Sequence, residues 1–349
     1  MSFVKKSIVI VGGGFAGINT ALNLKRTNPS LQLLVIDSQS QFVFKPLLYE
    51  VLSNEIESWE VSPSFNNIFS GAGIAFLNNQ VVSIDLNKNL LKLKDDSTIQ
   101  FQYLVISTGS THNDFSIKGV NDYCYLFNNN NDQNKLKSFL SQSYDDNSEN
   151  NLFIVGGGPS GVELACKIHD IYNHKFKINI IEREEEILKR NKTYNREEAE
   201  KALHARKINL LLNTTVQEIT ENQIKVVNNF NKIDSMQHCA VIWTAGVKPN
   251  LPQILNDIKK INDRILVNNK LQLINFENIF AIGDVAIVED NFDLPITAQV
   301  AMQQGIVVAE NLNLLMHQSN LSSFEFKDNG EMISLGIGDA SILGLGFTF

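Results

Sequence analysis

Basic charge, paired cysteines and long apolar runs are what this 349-residue sequence lacks. Lysine and arginine total 30 against 38 aspartates and glutamates, giving a net charge of -8 and a pI near 5.3. Binding a phosphate backbone needs a basic face, so this balance argues against a nucleic-acid partner. The three cysteines, Cys124, Cys166 and Cys239, lie far apart, without metal or redox spacing. That argues against a disulfide framework and fits a reducing, cytoplasmic compartment. No uninterrupted stretch approaches the ~20 apolar residues of a membrane-spanning helix. Lys5-Lys6 before Ser7 to Val11 mimics a signal-peptide start, but glycines end the apolar run too early for an h-region. The chain is therefore expected to be soluble, or peripheral on the cytoplasmic face of a membrane. Its length allows two domains with substantial cores.

What is present is one short glycine pattern, twice, 144 residues apart: Gly12-Gly13-Gly14-Phe15-Ala16-Gly17 and Gly156-Gly157-Gly158-Pro159-Ser160-Gly161. Each follows an apolar run, Ser7-Ile8-Val9-Ile10-Val11 or Leu152-Phe153-Ile154-Val155, and each opens a helix-like stretch. In such a turn the first glycine permits the tight strand-to-helix reversal. The second lets the backbone approach a pyrophosphate, and the third lets helix and strand pack closely. The helix N-terminus adds unpaired N–H groups and partial positive charge. An acid belongs at the end of the next strand, where it takes the ribose hydroxyls. Asp37 ends Leu33-Leu34-Val35-Ile36, 20 residues after Gly17, and Glu182 ends Ile178-Asn179-Ile180-Ile181, 21 residues after Gly161. A lone glycine turn is weak evidence. Two complete copies point to a chain that holds two dinucleotides and moves electrons between them.

Alternating strand and helix signals from Ser7 to about Ser110 predict a parallel sheet. An antiparallel patch, Val81 to Asp85, Leu90 to Leu93 and Ile99 to Phe101, leads into Tyr103 to Ile106 and the turn Ser107-Thr108-Gly109-Ser110. Residues 128–151, rich in Asn, Asp and Ser, read as solvated surface with a short helix around Leu136 and Phe139-Leu140. A second unit repeats the logic over roughly 150–262. Beyond it, Ile279 to Ile282 reads as a buried strand ending in the turn Gly283-Asp284, and a long helix runs from Thr297 to about Leu315. The expected fold class is α/β: two Rossmann-like dinucleotide-binding domains, one inserted into the other, with a short, truncated-looking C-terminal segment. The expected limits are 1–115 and 263–318 for the first domain, 116–262 for the inserted one and 319–349 for an incomplete C-terminal region.

These segments, with Trp243 to Val247 and Ile279 to Ala286, are similar to the fingerprints of two-dinucleotide flavoprotein oxidoreductases. Within that group, Phe44-Lys45-Pro46-Leu47-Leu48-Tyr49-Glu50 and Ala298 to Gly305 resemble type II NAD(P)H dehydrogenases, single-chain FAD enzymes that reduce membrane quinones. The run Gly158 to Lys167 looks most like the cyanobacterial and plastid branch, linked to phylloquinone-type or plastoquinone acceptors. The resemblance covers nearly the whole chain. It implies FAD in the first domain, on Gly12, Gly14, Phe15, Ala16 and Gly17, with Asp37 at the adenosine ribose. Gly283-Asp284 would face the ribityl and pyrophosphate, with Thr108-Gly109 beneath the cofactor and Lys45 at the same site. NAD(P)H, the exchanging co-substrate, would lie in the inserted domain on Gly156, Gly158, Gly161, Glu182 and Gly246. Glu163, near the nicotinamide, is the catalytic residue carried over. Ala298 to Gln304 would form a quinone pocket, where Gln299 and Gln303 share one helix face and Gln304 adjoins them. Hydride would pass from NAD(P)H to the flavin, and two electrons from there to the quinone. The cofactors carry the reactive atoms and the protein positions them. His112, His169, His174 and His204 read as surface or core residues.

Absences separate the sister families. Disulfide reductases of this architecture need a close cysteine pair, and sulfide-quinone reductases need cysteines flanking the flavin; neither arrangement is present. Two departures stand out. Arg183 follows Glu182 directly: the acid favours NADH by repelling a 2′-phosphate, while an adjacent arginine leaves NADPH open. The sequence also ends where family members continue with an amphipathic, membrane-docking region, so Ile342, Leu343, Leu345 and Phe347 are expected to be poorly covered and membrane attachment weakened. The alternative functions are reduction of a soluble electron carrier, or a degenerate or redox-sensing flavoprotein. The expected partners are a quinone, a peripheral membrane contact and a second copy in a homodimer, with no metal.

Overall fold

The computed structural model describes residues 6–142, 150–173, 175–344 and 347–348. Expectations placed on Lys5, Asp145 to Ser148, His174, Leu345 and the Phe347 side chain fall outside what is described. The chain forms two compact units. One comprises Met1–Val43, Ser62–Thr111 and Lys248–Lys327, and the other Phe44–Val61, His112–Val247 and Asp328–Phe349.

In the first unit, strand Lys6–Val11 runs parallel to Leu33–Asp37 on one side and Thr98–Ile106 on the other. Ala75–Asn78 extends the sheet beyond Leu33–Asp37, and Ile279–Ala281 adds in parallel to Thr98–Ile106. Parallel strands buried on both faces are near-continuously apolar, which is why Ile8 to Ile10, Val35, Leu104 to Ile106 and Ile279 to Ile282 are buried together. The antiparallel patch forms as the sequence predicts, with Leu90–Leu93 between Val81–Asp85 and the start of Thr98–Ile106. Because Lys6–Val11, Thr98–Ile106 and Ile279–Ala281 point the same way, the turns that follow them lie along one edge. These turns carry Gly12, Ser107 to Ser110, and Gly283-Asp284. Helix Ala298–Met316 packs on helix Phe15–Thr27. The approach is close because Gly305 has no side chain: a Cβ there would stand 2.5 Å from the Ala16 carbonyl oxygen.

The second unit is built on a five-stranded parallel sheet in the order Asn209–Leu211, Lys177–Ile181, Asn151–Val155, Ala240–Trp243, Cys124–Tyr125. Successive side chains point to opposite faces, and each face has its own cover. Leu152, Ile154, Ile180 and Ile242 pack with Val162, Leu164, Cys166 and Ile168 of helix Pro159–Tyr172. Phe153, Val155, Ile181 and Trp243 pack with Val216, Ile219, Ile224 and Val226 of an antiparallel meander. The region read as largely solvated holds helix Asn130–Ser141, capped by the Asn129 side chain, with Leu136 and Leu140 fully buried. A C-terminal hairpin, Glu331–Gly336 with Asp339–Gly344, buries Ile333 and Leu335, while Met332 and Ile342 stay exposed and Leu343 half-buried. No helix among the described residues is long and apolar enough to cross a membrane.

Candidate active site

The glycine turn of the first unit is shaped by contact. Gly12 has φ +104°, and a Cβ on it would lie 2.3 Å from the Ser107 carbonyl oxygen; one on Gly17 would lie 1.9 Å from that of Gly12. At Gly14, where helix Phe15–Thr27 begins, a Cβ would meet nothing within 4 Å. The turn is therefore tight underneath and open above, a cradle with the helix N–H groups at its floor. Asp37 accepts from Gly13 N (2.7 Å) and Gln39 N (2.8 Å), and burial raises its carboxyl above the usual range. Ser110 Oγ donates to Asp284 Oδ2 (2.5 Å), so the ends of two neighbouring strands converge on one polar cluster. Next to it, Thr108 Oγ1 is buried without a hydrogen-bond partner. Gly109, at φ +66°, is open where its side chain would be. An orphaned hydroxyl, an open cradle and a carboxylate at the strand end fit a dinucleotide. Of the other residues expected here, Ala16 is buried, Phe15 packs edge-on against Phe42 with ring centroids 5.1 Å apart, and Lys45 opens the short helix Lys45–Leu47 of the second unit, exposed.

The second unit repeats this construction. A Cβ on Gly161 would lie 1.9 Å from the Gly156 carbonyl oxygen, while Gly158 is open. Glu182 accepts from Gly157 N (2.7 Å) as Asp37 does from Gly13 N, and its other oxygen accepts from Glu184 N (2.9 Å). In both turns the strand-end acid thus fixes the middle glycine. Arg183 Nε turns to Glu184 (3.2 Å). Gly246, at φ +66°, is covered by the Phe115 ring, 2.5 Å from where its Cβ would be.

The proposed quinone helix begins with Thr297, whose hydroxyl caps Val300 N. Gln304 is buried and its carboxamide oxygen accepts from Gly283 N (2.7 Å). Gln303 bonds Lys327 both ways, Nε2 to the carbonyl (2.8 Å) and Oε1 from the N–H (3.0 Å). These two bonds hold the Gln303 amide in place and use one of its two N–H donors and one of its two oxygen lone pairs. Gln299 and Ala298 are half-buried at the helix start.

Glu163 sits on helix Pro159–Tyr172, only 7% exposed. Its Oε1 accepts from the Tyr49 hydroxyl (3.0 Å) and from Ser334 N (3.2 Å). Burial pushes its carboxyl up to about 8; the Ser334 N–H and Tyr49 hydroxyl pull it down, Glu50 pushes it up, and Lys167 pulls it down. Burial and Glu163 together keep the Tyr49 hydroxyl protonated. One turn on, buried Lys167 is paired with Glu50 and Glu55. Sequence reasoning named Glu163 but gave Tyr49, Lys167 and Ser110 no role. The signal for Lys167 was there: an ionisable residue on the apolar stripe of its helix. The three cysteines are free, and burial raises Cys124 and Cys166 to about 12 and Cys239 to about 11, so they stay as thiols.

The profile of the pyridine nucleotide-disulphide oxidoreductase family matches residues 6–305. The chain is 33% identical to the demethylphylloquinone reductase NdbB of Synechocystis, over 99% of its own length and 88% of the relative's. It is 29% identical to the alternative NAD(P)H-ubiquinone oxidoreductase C1 of Arabidopsis thaliana, over 96% and 72%. The fold matches NDH2 from Plasmodium falciparum in complex with NADH, with a TM-score of 0.88, 20% identity, and coverage of 99% of this chain and 91% of that one.

Proposed function

The chain belongs to the pyridine nucleotide-disulphide oxidoreductase family, and on that premise we propose that it is an FAD-dependent, non-proton-pumping NAD(P)H:quinone oxidoreductase. The observation that carries this reading is the pair of identically built glycine–acid turns, one in each unit, of which only the first is completed by Thr108, Ser110 and Asp284. That asymmetry supports a resident FAD on Gly12, Gly14, Gly17, Asp37, Thr108, Gly109 and Asp284. It supports an exchanging NAD(P)H on Gly156, Gly158, Gly161 and Glu182, with Gly246 near it. FAD, when bound, accepts hydride from NAD(P)H and hands two electrons on to the acceptor.

What the chain's own residues do follows from their chemistry. Each glycine turn leaves a helix N-terminus open to a diphosphate. Glu182, held by two backbone N–H groups, accepts the 2′-hydroxyl and repels a 2′-phosphate. With Arg183 turned to Glu184, NADH is the favoured donor. Glu163 is a carboxyl that burial raises to about 8, high enough to hold a proton at neutral pH, and the overall reaction (NADH, a proton and quinone to NAD⁺ and quinol) takes up one. The quinone contact falls to Ala298, Gln299 and Gln303, whose amide keeps a second donor and lone pair beyond its bonds to Lys327, while buried Gln304 fixes the helix against Gly283. A demethylphylloquinone-type acceptor comes first because the Synechocystis relative is named for it, and a lipid-soluble acceptor supports peripheral membrane contact. Cysteine chemistry is not required, in keeping with three protonated thiols.

The test is anaerobic mixing of the purified protein with NADH or NADPH while flavin absorbance is followed. Bleaching that is faster with NADH supports the assignment. A protein that retains no flavin contradicts it.

A further inference from the structure

The Lys167 ammonium is shut away from water, with its side chain 1% exposed and, among the described residues, the carboxylates of Glu50, at 2.6 Å, and Glu55 as its counter-charges. A buried ion pair contributes little net stability, since apolar side chains of similar volume often serve as well. Packing alone does not ask for charge here: Val162, Leu164, Ala165, Cys166 and Ile168 of the same helix are all buried. The placement gives a reason for it. Glu163 precedes Lys167 by four residues, and residues at that spacing share a helix face. On the facing short helix, Leu48–Leu52, Tyr49 and Glu50 are consecutive. The two helices are therefore joined by two polar rungs, Tyr49 to Glu163 and Glu50 to Lys167.

The ionisable groups around Glu163 among the described residues are few. Its own helix offers Lys167, the protonated Cys166 and, two turns on, Asp170 neutralised by Arg206; the short helix offers Tyr49 and Glu50, and the following turn offers Glu55. Strand Glu331–Gly336 contributes the neutral Ser334 N–H, and the carboxylate at its start, Glu331, accepts from Lys192 N and Asn195 Nδ2 instead. Glu163 thus has no cation bonded to it but sits next to a cation and an anion that act on it in opposite senses.

We propose that Lys167 and Glu50 are positioning residues for the proton on Glu163, the charged rung deciding whether the acid on the neighbouring rung is neutral or ionised during turnover. This rests on the reading of Glu163 as the proton-holding group of the reaction. In the low-dielectric interior, removing the ammonium leaves the Glu163 carboxylate without its nearest favourable charge, so the acid holds its proton more tightly. Burial and the hydrogen bond to Glu55 hold the Glu50 carboxyl above its usual range while Lys167 pulls it down; removing its negative charge takes away the anion that opposes a charge on Glu163, which then releases its proton more readily.

The test uses the FAD-loaded protein and three variants, Lys167→Met, Glu50→Gln and Glu163→Gln. The protonated-carboxyl stretch in infrared spectra is titrated, and the pH profile of quinone-dependent turnover is recorded alongside. Glu163→Gln identifies the band by abolishing it. Lys167→Met is expected to move its midpoint up and Glu50→Gln to move it down, each by about one pH unit, a tenfold change in proton affinity. A merely structural role moves both variants the same way or neither, and that result overturns the proposal. Glu50→Gln keeps Lys167 paired with Glu55, so if Lys167→Met does not fold, a midpoint that fails to fall in Glu50→Gln is decisive. Band shifts in opposite directions with a turnover profile indifferent to Glu163→Gln support the charge coupling and overturn the role assigned to Glu163.

Discussion

Alanine at Gly158 and alanine at Gly161 should have opposite consequences, although the two positions lie three residues apart in one turn. At Gly161 the added methyl would sit 1.9 Å from the Gly156 carbonyl oxygen, backbone that moves only with the sheet. Overpacking of a tight site costs about 1–3 kcal/mol, and a unit of this size loses about 2–4 °C in Tm per kcal/mol. Gly161→Ala should therefore melt several degrees below the parent without any ligand. At Gly158 the methyl meets nothing within 4 Å, and the residue is extended (φ -78°, ψ -178°), a conformation alanine adopts. The cost to folding there is the modest loss at a helix N-cap, no more than about 1 kcal/mol. If the pyrophosphate of NADH lies on that N-terminus, however, the methyl occupies its approach. A penalty of about 1–3 kcal/mol translates to about 5- to 150-fold in affinity. The assay is a thermal melt without NADH, together with the NADH dependence of flavin bleaching. Gly158→Ala that binds NADH like the parent refutes the placement of the diphosphate. The same contrast is expected in the first unit, where Gly14→Ala should fold but lose FAD.

Glu182→Ser removes the charge that repels a 2′-phosphate, so the NADPH-to-NADH ratio of kcat/KM should rise by about tenfold or more; an unchanged ratio contradicts the assigned role. Gln304→Ala leaves the Gly283 N–H without its acceptor, at a cost of about 1–3 kcal/mol, and should lower Tm by more than Gln303→Ala, whose bonds to Lys327 are solvent-exposed. Glu163 has a pKa raised on folding from 4.5 to about 8, so between those values the folded chain holds a proton that the unfolded chain has lost. Stability should then decline as pH rises from about 4.5 to 8 and level off above it. Glu163→Gln should flatten that slope, as read from denaturant midpoints across pH.

Both glycine turns were legible in the sequence, together with their acids and the Gly283-Asp284 turn, because each is a local pattern with a local cause. Gly12 and Gly17 are glycines for contacts made within a few residues or with the adjacent strand, and strand runs such as Ile8 to Val11 are apolar because both faces are covered. The antiparallel patch was legible for the same reason. Less legible was anything that depends on which distant segments meet. Tyr49 reaches Glu163 and Glu50 reaches Lys167 across more than 110 residues of chain, and no periodicity announces such pairs. Segment Phe44–Val61 packs with the second unit through contacts of this kind. Gln299 and Gln303 share a helix face by spacing alone, but spacing cannot show that the Gln303 amide closes on the Lys327 backbone. Helix Asn130–Ser141 was half-hidden because its polar surface dominates the composition while Leu136 and Leu140 are buried beneath it.

The central claim is that electrons entering from NADH leave to a quinone. The most direct measurement is anaerobic double mixing: the flavin is first bleached with one equivalent of NADH, then a soluble naphthoquinone or benzoquinone is added while flavin and quinone absorbance are followed. Full return of the flavin spectrum, with one quinone consumed per NADH, is the predicted result. A flavin that stays bleached in the presence of excess quinone would contradict the account.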